Sequence, residues 1–137
     1  MKKYIFAFAV LSIVFLLVIV PLIARIIEAT EYYKIGQNMV PSINSIVGER
    51  KLSEWTSSLI PMKKTYEYTR VEDPKADIEK YYEYLIYNEG FIPINDGDGE
   101  KTVAKESSKE GYIIVIDISI MGQGYLVTLV EGKGIIQ

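Results

Sequence analysis

The chain has 137 residues, 18 acidic and 15 basic, with a net charge of −3 and neither cysteine nor histidine. That composition excludes disulfides, cysteine nucleophiles, histidine general bases and nearly every zinc site, and it leaves no N-terminal cysteine to carry a lipid. Lys2, Lys3 and Arg25 all precede the first acid, Glu28, so the remainder is acidic on balance and lacks the basic surface that nucleic acid or anionic lipid attracts.

From Tyr4 to Ala24 no residue is charged, in the run YIFAFAVLSIVFLLVIVPLIA. At ~1.5 Å per residue a helix of that length spans roughly 30 Å, the thickness of a hydrocarbon core. The run is too long for the apolar core of a signal peptide, and Leu22 and Ile27 are bulky where a cleavage site wants small residues. Residues 1–27 are expected to form an uncleaved single-pass anchor with a short cytoplasmic N-terminus, held inside by Lys2, Lys3 and the terminal amine. The rest of the chain then lies outside the cytoplasm. Type IV pilin-like subunits share the plan of an apolar N-terminal helix running into a helix-and-sheet head, and they are the alternative class. They carry a small residue before the apolar run and an acid just inside it, where this chain passes directly from Lys3 to Tyr4.

Residues 28–61 read as a stalk and short amphipathic helices. The membrane helix is expected to continue to about Gln37, with Gly36 and Pro41 breaking it. Ile43, Ile46 and Val47 then share one helical face, and Leu52, Trp55 and Leu59 share another beyond Gly48. The segment between Pro41 and Pro61 is expected to pack on the following domain, with Trp55 in the membrane interface as the alternative.

Residues 62–131 read as an α+β domain with one helix on a mostly antiparallel sheet, in the order β-α-β-β-β-β, before a tail at 132–137. Lys64 to Arg70 alternates, with Tyr66 and Tyr68 on one face. Asp73 is a good N-cap and Pro74 suits the first helical position. Ile78, Tyr81, Tyr82, Leu85 and Ile86 make a core-facing stripe, and Gly90 fits the left-handed residue that ends the helix. Strands are expected near Phe91 to Asn95, Thr102 to Glu106, Tyr112 to Ile120 and Tyr125 to Val130. Their short connections make an antiparallel meander.

The even positions from Tyr112 to Ile120, with Tyr125, Val127 and Leu129, fit the helix-facing core. The opposite face then carries Ile113, Val115, Asp117, Leu126 and Val130, with Ser119 and Thr128 beside them, and four aliphatic side chains in seven are more than a fully wet surface needs. The segment between Pro41 and Pro61, a protein partner or a second copy would cover it, and these five residues are the candidate partner surface. Chemistry is sparse elsewhere. Glu72, Asp73 and Asp77 suit a helix start, Glu79 and Glu83 a solvated helix face, and Ser108–Lys109 a polar turn. Tyr84 and Tyr87 lie off the stripe and could serve at the surface. The stretch INDGDGEK, Ile94 to Lys101, begins like a calcium loop, but Ile94 and Lys105 fall where such a loop needs first and last ligands. It reads as a hairpin turn instead. No catalytic, metal or cofactor residue is assigned. The expected function is a non-enzymatic interaction or accessory module of the cell envelope, with a pilin-like subunit or a ligand-binding domain as alternatives.

Overall fold

The computed structural model describes residues 2–59 and 62–136; along the first helix the side chains it describes are those of Ile5, Ala7, residues 9–21 and Glu31. Helix α1 (Lys2–Glu31) leads into a hairpin, β1 (Tyr32–Ile35) and β2 (Asn38–Pro41), and a short helix, α2 (Ile43–Val47). Strands β3 (Lys51–Leu59) and β4 (Met62–Thr69), helix α3 (Pro74–Tyr87) and strands β5 (Ile92–Gly97), β6 (Glu100–Glu106), β7 (Tyr112–Met121) and β8 (Gly124–Lys133) complete the chain. Among the described residues no helix is long and apolar enough to cross a membrane; the uninterrupted stretch 9–21 reaches only ~20 Å at ~1.5 Å per residue. The expected span from Tyr4 to Ala24, with Lys2, Lys3 and Arg25 beside it, extends outside the described side chains.

The domain is α+β, with a six-stranded sheet in the order β3-β4-β8-β7-β6-β5 and every neighbouring pair antiparallel. The β3–β4 hairpin occupies one edge. Helix α3 then crosses the sheet to the far edge, and β5 to β8 return strand by strand until β8 pairs with β4. The helix signals act as the sequence suggests. The Asp73 carboxylate accepts from the Ala76 N–H at 3.2 Å, Pro74 opens the first turn, and the Phe91 N–H reaches back to the Leu85 carbonyl at 3.0 Å through Gly90 at φ 75°.

Among the described residues the covering elements lie on one face. Ile78, Tyr81 and Leu85 of α3 are buried with Val103, Ile114, Ile116 and Ile118 of the sheet. The small hairpin covers the other half, where Tyr33 stacks on Tyr66 with ring centroids 4.5 Å apart. Tyr66 opposes Val127, and Val127 opposes Ile118, so hairpin and helix share a side, because directly opposed residues project to the same face.

Two expectations for residues 28–61 are corrected. The chain does not stay helical to Gln37. Tyr33 and Ile35 are buried while Tyr32 and Lys34 are exposed, a period of two, and Gly36 at φ 60° turns β1 into β2. The face made by Leu52, Trp55 and Leu59 is not a helix either. Strand β3 has an irregularity at Ser53, so Leu52 opposes Tyr68 and Trp55 opposes Tyr66. One extra residue in a strand puts positions three apart on the same face and so imitates a helical spacing. The short helix expected at Ile43 to Val47 is present as α2. Pro61 lies outside the described residues. At the other end β8 continues to Lys133, into the expected tail.

The register between β4 and β8 depends on one glycine. A Cβ on Gly124 would stand 1.7 Å from the Tyr68 carbonyl oxygen, so any side chain there forces the two strands apart. Gly124→Ala should destabilise the domain by about 3 kcal/mol, at the top of the usual overpacking range, read from urea unfolding. Gly111, at φ 77° with open space around its missing side chain, is the control. Its alanine variant is strained only through its own backbone and should lose about 1 kcal/mol.

Candidate functional site

The five residues of the candidate partner surface fall together on the face opposite α3. Val115 opposes Val130, with Ala104 on the next strand, and Ile113 continues this aliphatic row. Asp117 lies between Thr102 and Thr128, and its Oδ1 accepts from the Thr102 hydroxyl at 2.7 Å. Leu126 sits further along, opposite Ser119 and Glu67. All five are half-buried within the sheet itself. The expectation that the Pro41–Pro61 segment covers this face is overturned, because β3 widens the sheet and α2 packs against α3 on the opposite side. Among the described residues no helix or hairpin lies over it. A shallow groove of about 160 Å³ runs along its margin, lined by Glu54, Thr56, Thr65, Glu67 and Leu126 together with Trp55.

The stretch from Ile94 to Lys101 is a hairpin, with Gly97 opposing Glu100 and Asp98–Gly99 at the turn, Gly99 at φ 79°. Two of its carboxylates, Asp96 and Asp98, are taken by lysines. Asp96 and Glu79 both bind the buried Lys101 ammonium, Glu79 at 3.1 Å, and Lys101 also lies over the Tyr82 ring. Asp98 meets Lys75 at 3.2 Å in the open. Among the described residues no group of three or more acidic side chains is placed to hold a metal ion.

Asp77 is where sequence reasoning fell short. It stands in the first turn of α3 as expected, but it is also buried and accepts from Arg50 at two oxygens, Nε to Oδ2 at 2.7 Å and Nη2 to Oδ1 at 3.1 Å. The Tyr125 hydroxyl donates to the same Oδ2 at 2.9 Å. The signal was available: Asp77 precedes Ile78 and lies four positions before Tyr81, inside the apolar stripe. From Tyr125 a chain of aromatic contacts continues. Its ring meets Tyr68, the Tyr68 hydroxyl bonds the Tyr33 hydroxyl at 2.7 Å, Tyr33 stacks on Tyr66, and Tyr66 stacks on Trp55. Tyr81 donates to the Pro41 carbonyl at 2.7 Å. Of the two tyrosines considered for the surface, Tyr87 is exposed, whereas Tyr84 is half-buried and donates to Glu89 at 3.0 Å.

A second polar cluster fastens the small hairpin to the sheet. Asn38 Nδ2 donates to Glu131 at 2.9 Å and to Ser107 at 3.0 Å, Ser107 donates to Glu131 at 2.7 Å, and the Ser108 N–H donates to Asn38 Oδ1 at 2.8 Å. Ser108 and Lys109 are not brought together as a nucleophile and base. The Lys109 ammonium lies over the Tyr112 ring, 3.9 Å from its centroid.

Asp77→Ala leaves Arg50 and the Tyr125 hydroxyl without their acceptor and should cost about 3 kcal/mol in urea unfolding, the low end for breaking a buried pair because Arg50 retains some water. Replacing Arg50 and Asp77 together by Met and Leu should recover most of that loss. Alkaline pH is a second probe. Burial pushes Tyr33, Tyr81 and Tyr125 well above the ordinary tyrosine value and Tyr68 up to about 12. Hydrogen bonding to Asp96 likewise raises Lys101. Below about pH 10 these groups hold their protons folded or unfolded, and their contribution to stability is complete. Above it the unfolded chain releases protons that the fold retains, so stability falls as pH rises. Phenolate absorbance should therefore grow together with loss of circular dichroism. Complete phenolate formation in a still-folded domain would contradict the burial of these hydroxyls.

No protein-family model, curated protein or solved structure matches the chain, so the site is read from its own geometry.

Proposed function

We propose that the chain is a single-pass membrane protein whose α+β domain works outside the cytoplasm as a non-enzymatic interaction module of the cell envelope. The carrying observation is the one-sided architecture: Ile113, Val115, Leu126 and Val130 stand on a face that no other described element covers. A partner that removes such a patch from water gains ~25 cal/mol per Å² of apolar surface. The anchor is supported by 21 consecutive uncharged residues within a helix that continues to Glu31. The orientation is supported by Lys2 and Lys3 at one end of that run and a predominantly acidic domain at the other. A binding role fits the polar groups as well. Asp77 spends both its oxygens on internal partners, and Asp96 and Glu131 each commit one, which favours a scaffold over a reaction centre.

Two measurements test this. Protease added to intact cells should remove the domain and leave an N-terminal fragment in the membrane, and a domain protected until the cells are lysed sinks the topology. Val115→Lys with Val130→Glu should abolish capture of crosslinked partners in cells while costing the domain only about 1 kcal/mol, because the directly opposed pair then carries opposite charges on an open face. An unchanged set of partners in that variant would remove this face from consideration.

A further inference from the structure

The two edges of the sheet differ in how they resist pairing. At one edge β5 contains Pro93, which cannot donate, an irregularity at Ile94, and the carboxylates of Asp96 and Asp98 near its end. Strand β3, at the other edge, has its irregularity confined to Ser53. From Glu54 to Leu59 it pairs with β4 without interruption, contains no proline and carries one charge, Glu54. Thr56, Ser57, Ser58 and Leu59 are all exposed, Leu59 at 82%. In an antiparallel ladder every second residue turns its N–H and C=O away from its partner strand, and among the described residues β3 has no neighbouring strand on that side.

We infer that two copies of this chain pair β3 against β3 antiparallel across a two-fold axis at Thr56, fusing their sheets into one. Opposed residues must share a face, so Thr56 meets its own copy, Glu54 meets Ser58, and Trp55 meets Ser57. No like charges meet, and the outward row of Glu54, Thr56 and Ser58 pairs with itself through hydroxyl and carboxylate groups. A register moved by four residues, centred on Glu54, would set two carboxylates face to face, so the strand selects against it. The side chain of Trp55, half-buried and stacked on Tyr66 within one copy, gains a further contact across the axis.

The symmetry also suits an anchored chain. A two-fold axis perpendicular to the sheet keeps both covering layers on one face. Helix α1 joins β1 and α2 in that layer, so both N-terminal helices leave from the same side. The ladder is short, and alone it buries less than the ~1,000 Å² of a stable interface. Pairing is therefore weak in dilute solution and strong where a shared membrane concentrates the chains. That last step rests on the proposed anchor; the unprotected edge does not.

The absence of cysteine makes the test direct, because a single introduced thiol reports only on itself. Full-length Thr56→Cys, mildly oxidised in the expressing cells, should form a disulfide-linked homodimer, since opposed Cα atoms in an antiparallel pair lie ~4.5–5.5 Å apart, within disulfide reach. Ile94→Cys on β5, also exposed, should remain monomeric. Equal dimer yields from the two edges, or Thr56→Cys trapped on a different protein, would overturn self-pairing. Thr56→Lys and Thr56→Glu, with two separate tags, should each lose self-capture and regain it when co-expressed. Failure to regain it would overturn the register. Fractionation of the same cells reads the anchor separately, so its failure is not confused with failure of the edge.

Discussion

The core is built around tyrosine hydroxyls that have left water and must be satisfied inside the protein. Tyr33, Tyr66, Tyr68, Tyr81 and Tyr125 are among its largest fully buried side chains. A hydroxyl left there without a partner costs about 1–3 kcal/mol. Each partner therefore has to arrive from a particular direction. Tyr81 needs the Pro41 carbonyl, which seats the end of β2 over α3. Tyr33 and Tyr68 satisfy one another, with the Ile43 N–H donating to Tyr33 at 3.3 Å, which places the start of α2 above the sheet. Tyr125 needs Asp77, and Asp77 needs Arg50. The elements between α1 and the sheet are held where they are by these bonds as much as by apolar contact.

The one-sided architecture is a consequence. The hydroxyl partners come from β1, β2, α2 and the first turns of α3, and all of them converge on the face that carries Tyr66 and Tyr68. Among the described residues nothing equivalent is present on the other face, where Thr65, Thr102 and Thr128 hold short hydroxyls and Asp117 accepts from Thr102 on that same face. That face needs no cover for its polar groups. Its aliphatic groups stay uncovered because the covering elements among the described residues all pack on the opposite face.

The sequence was most legible where local chemistry and tertiary packing agree. Asp73, Pro74, the stripe from Ile78 to Ile86 and Gly90 all specify α3, and the alternation from Tyr112 to Ile120 specifies the inward face of β7. The turn at Asp98–Gly99 was readable because its flanks alternate and calcium-loop spacing fails. Legibility was lost where a local irregularity altered the period. One extra residue at Ser53 made β3 resemble a helix. The hairpin from Tyr32 to Pro41 was hidden because an apolar helix precedes it directly and nothing but Gly36 marks its turn. Asp77 was masked by the general preference for acids at helix starts, which supplied a sufficient explanation and obscured its place in the stripe. The outward residues were read correctly as a set, but what covers them depends on where β3 lies, and that rests on a pairing between distant strands.

The molecule is left with two surfaces of different chemistry, and each suits a different kind of contact. The open face offers side chains: an aliphatic row at Ile113, Val115 and Val130 beside a threonine-rich band. Recognition there depends on shape and apolar area, and a partner must present a matching surface. The β3 edge offers backbone. Its hydrogen bonds carry no sequence information, so specificity comes only from the register of Glu54, Thr56 and Ser58. A symmetric partner satisfies that register without further design, because each residue meets one already selected to be compatible with it. Pairing along the edge leaves the open face untouched and doubles its extent in one plane. In the proposed pair, two weak side-chain sites held side by side would bind a repeating or two-fold partner far more tightly than either alone. In the proposed dimer the edge would set the spacing of the copies, and the open face would set what they hold.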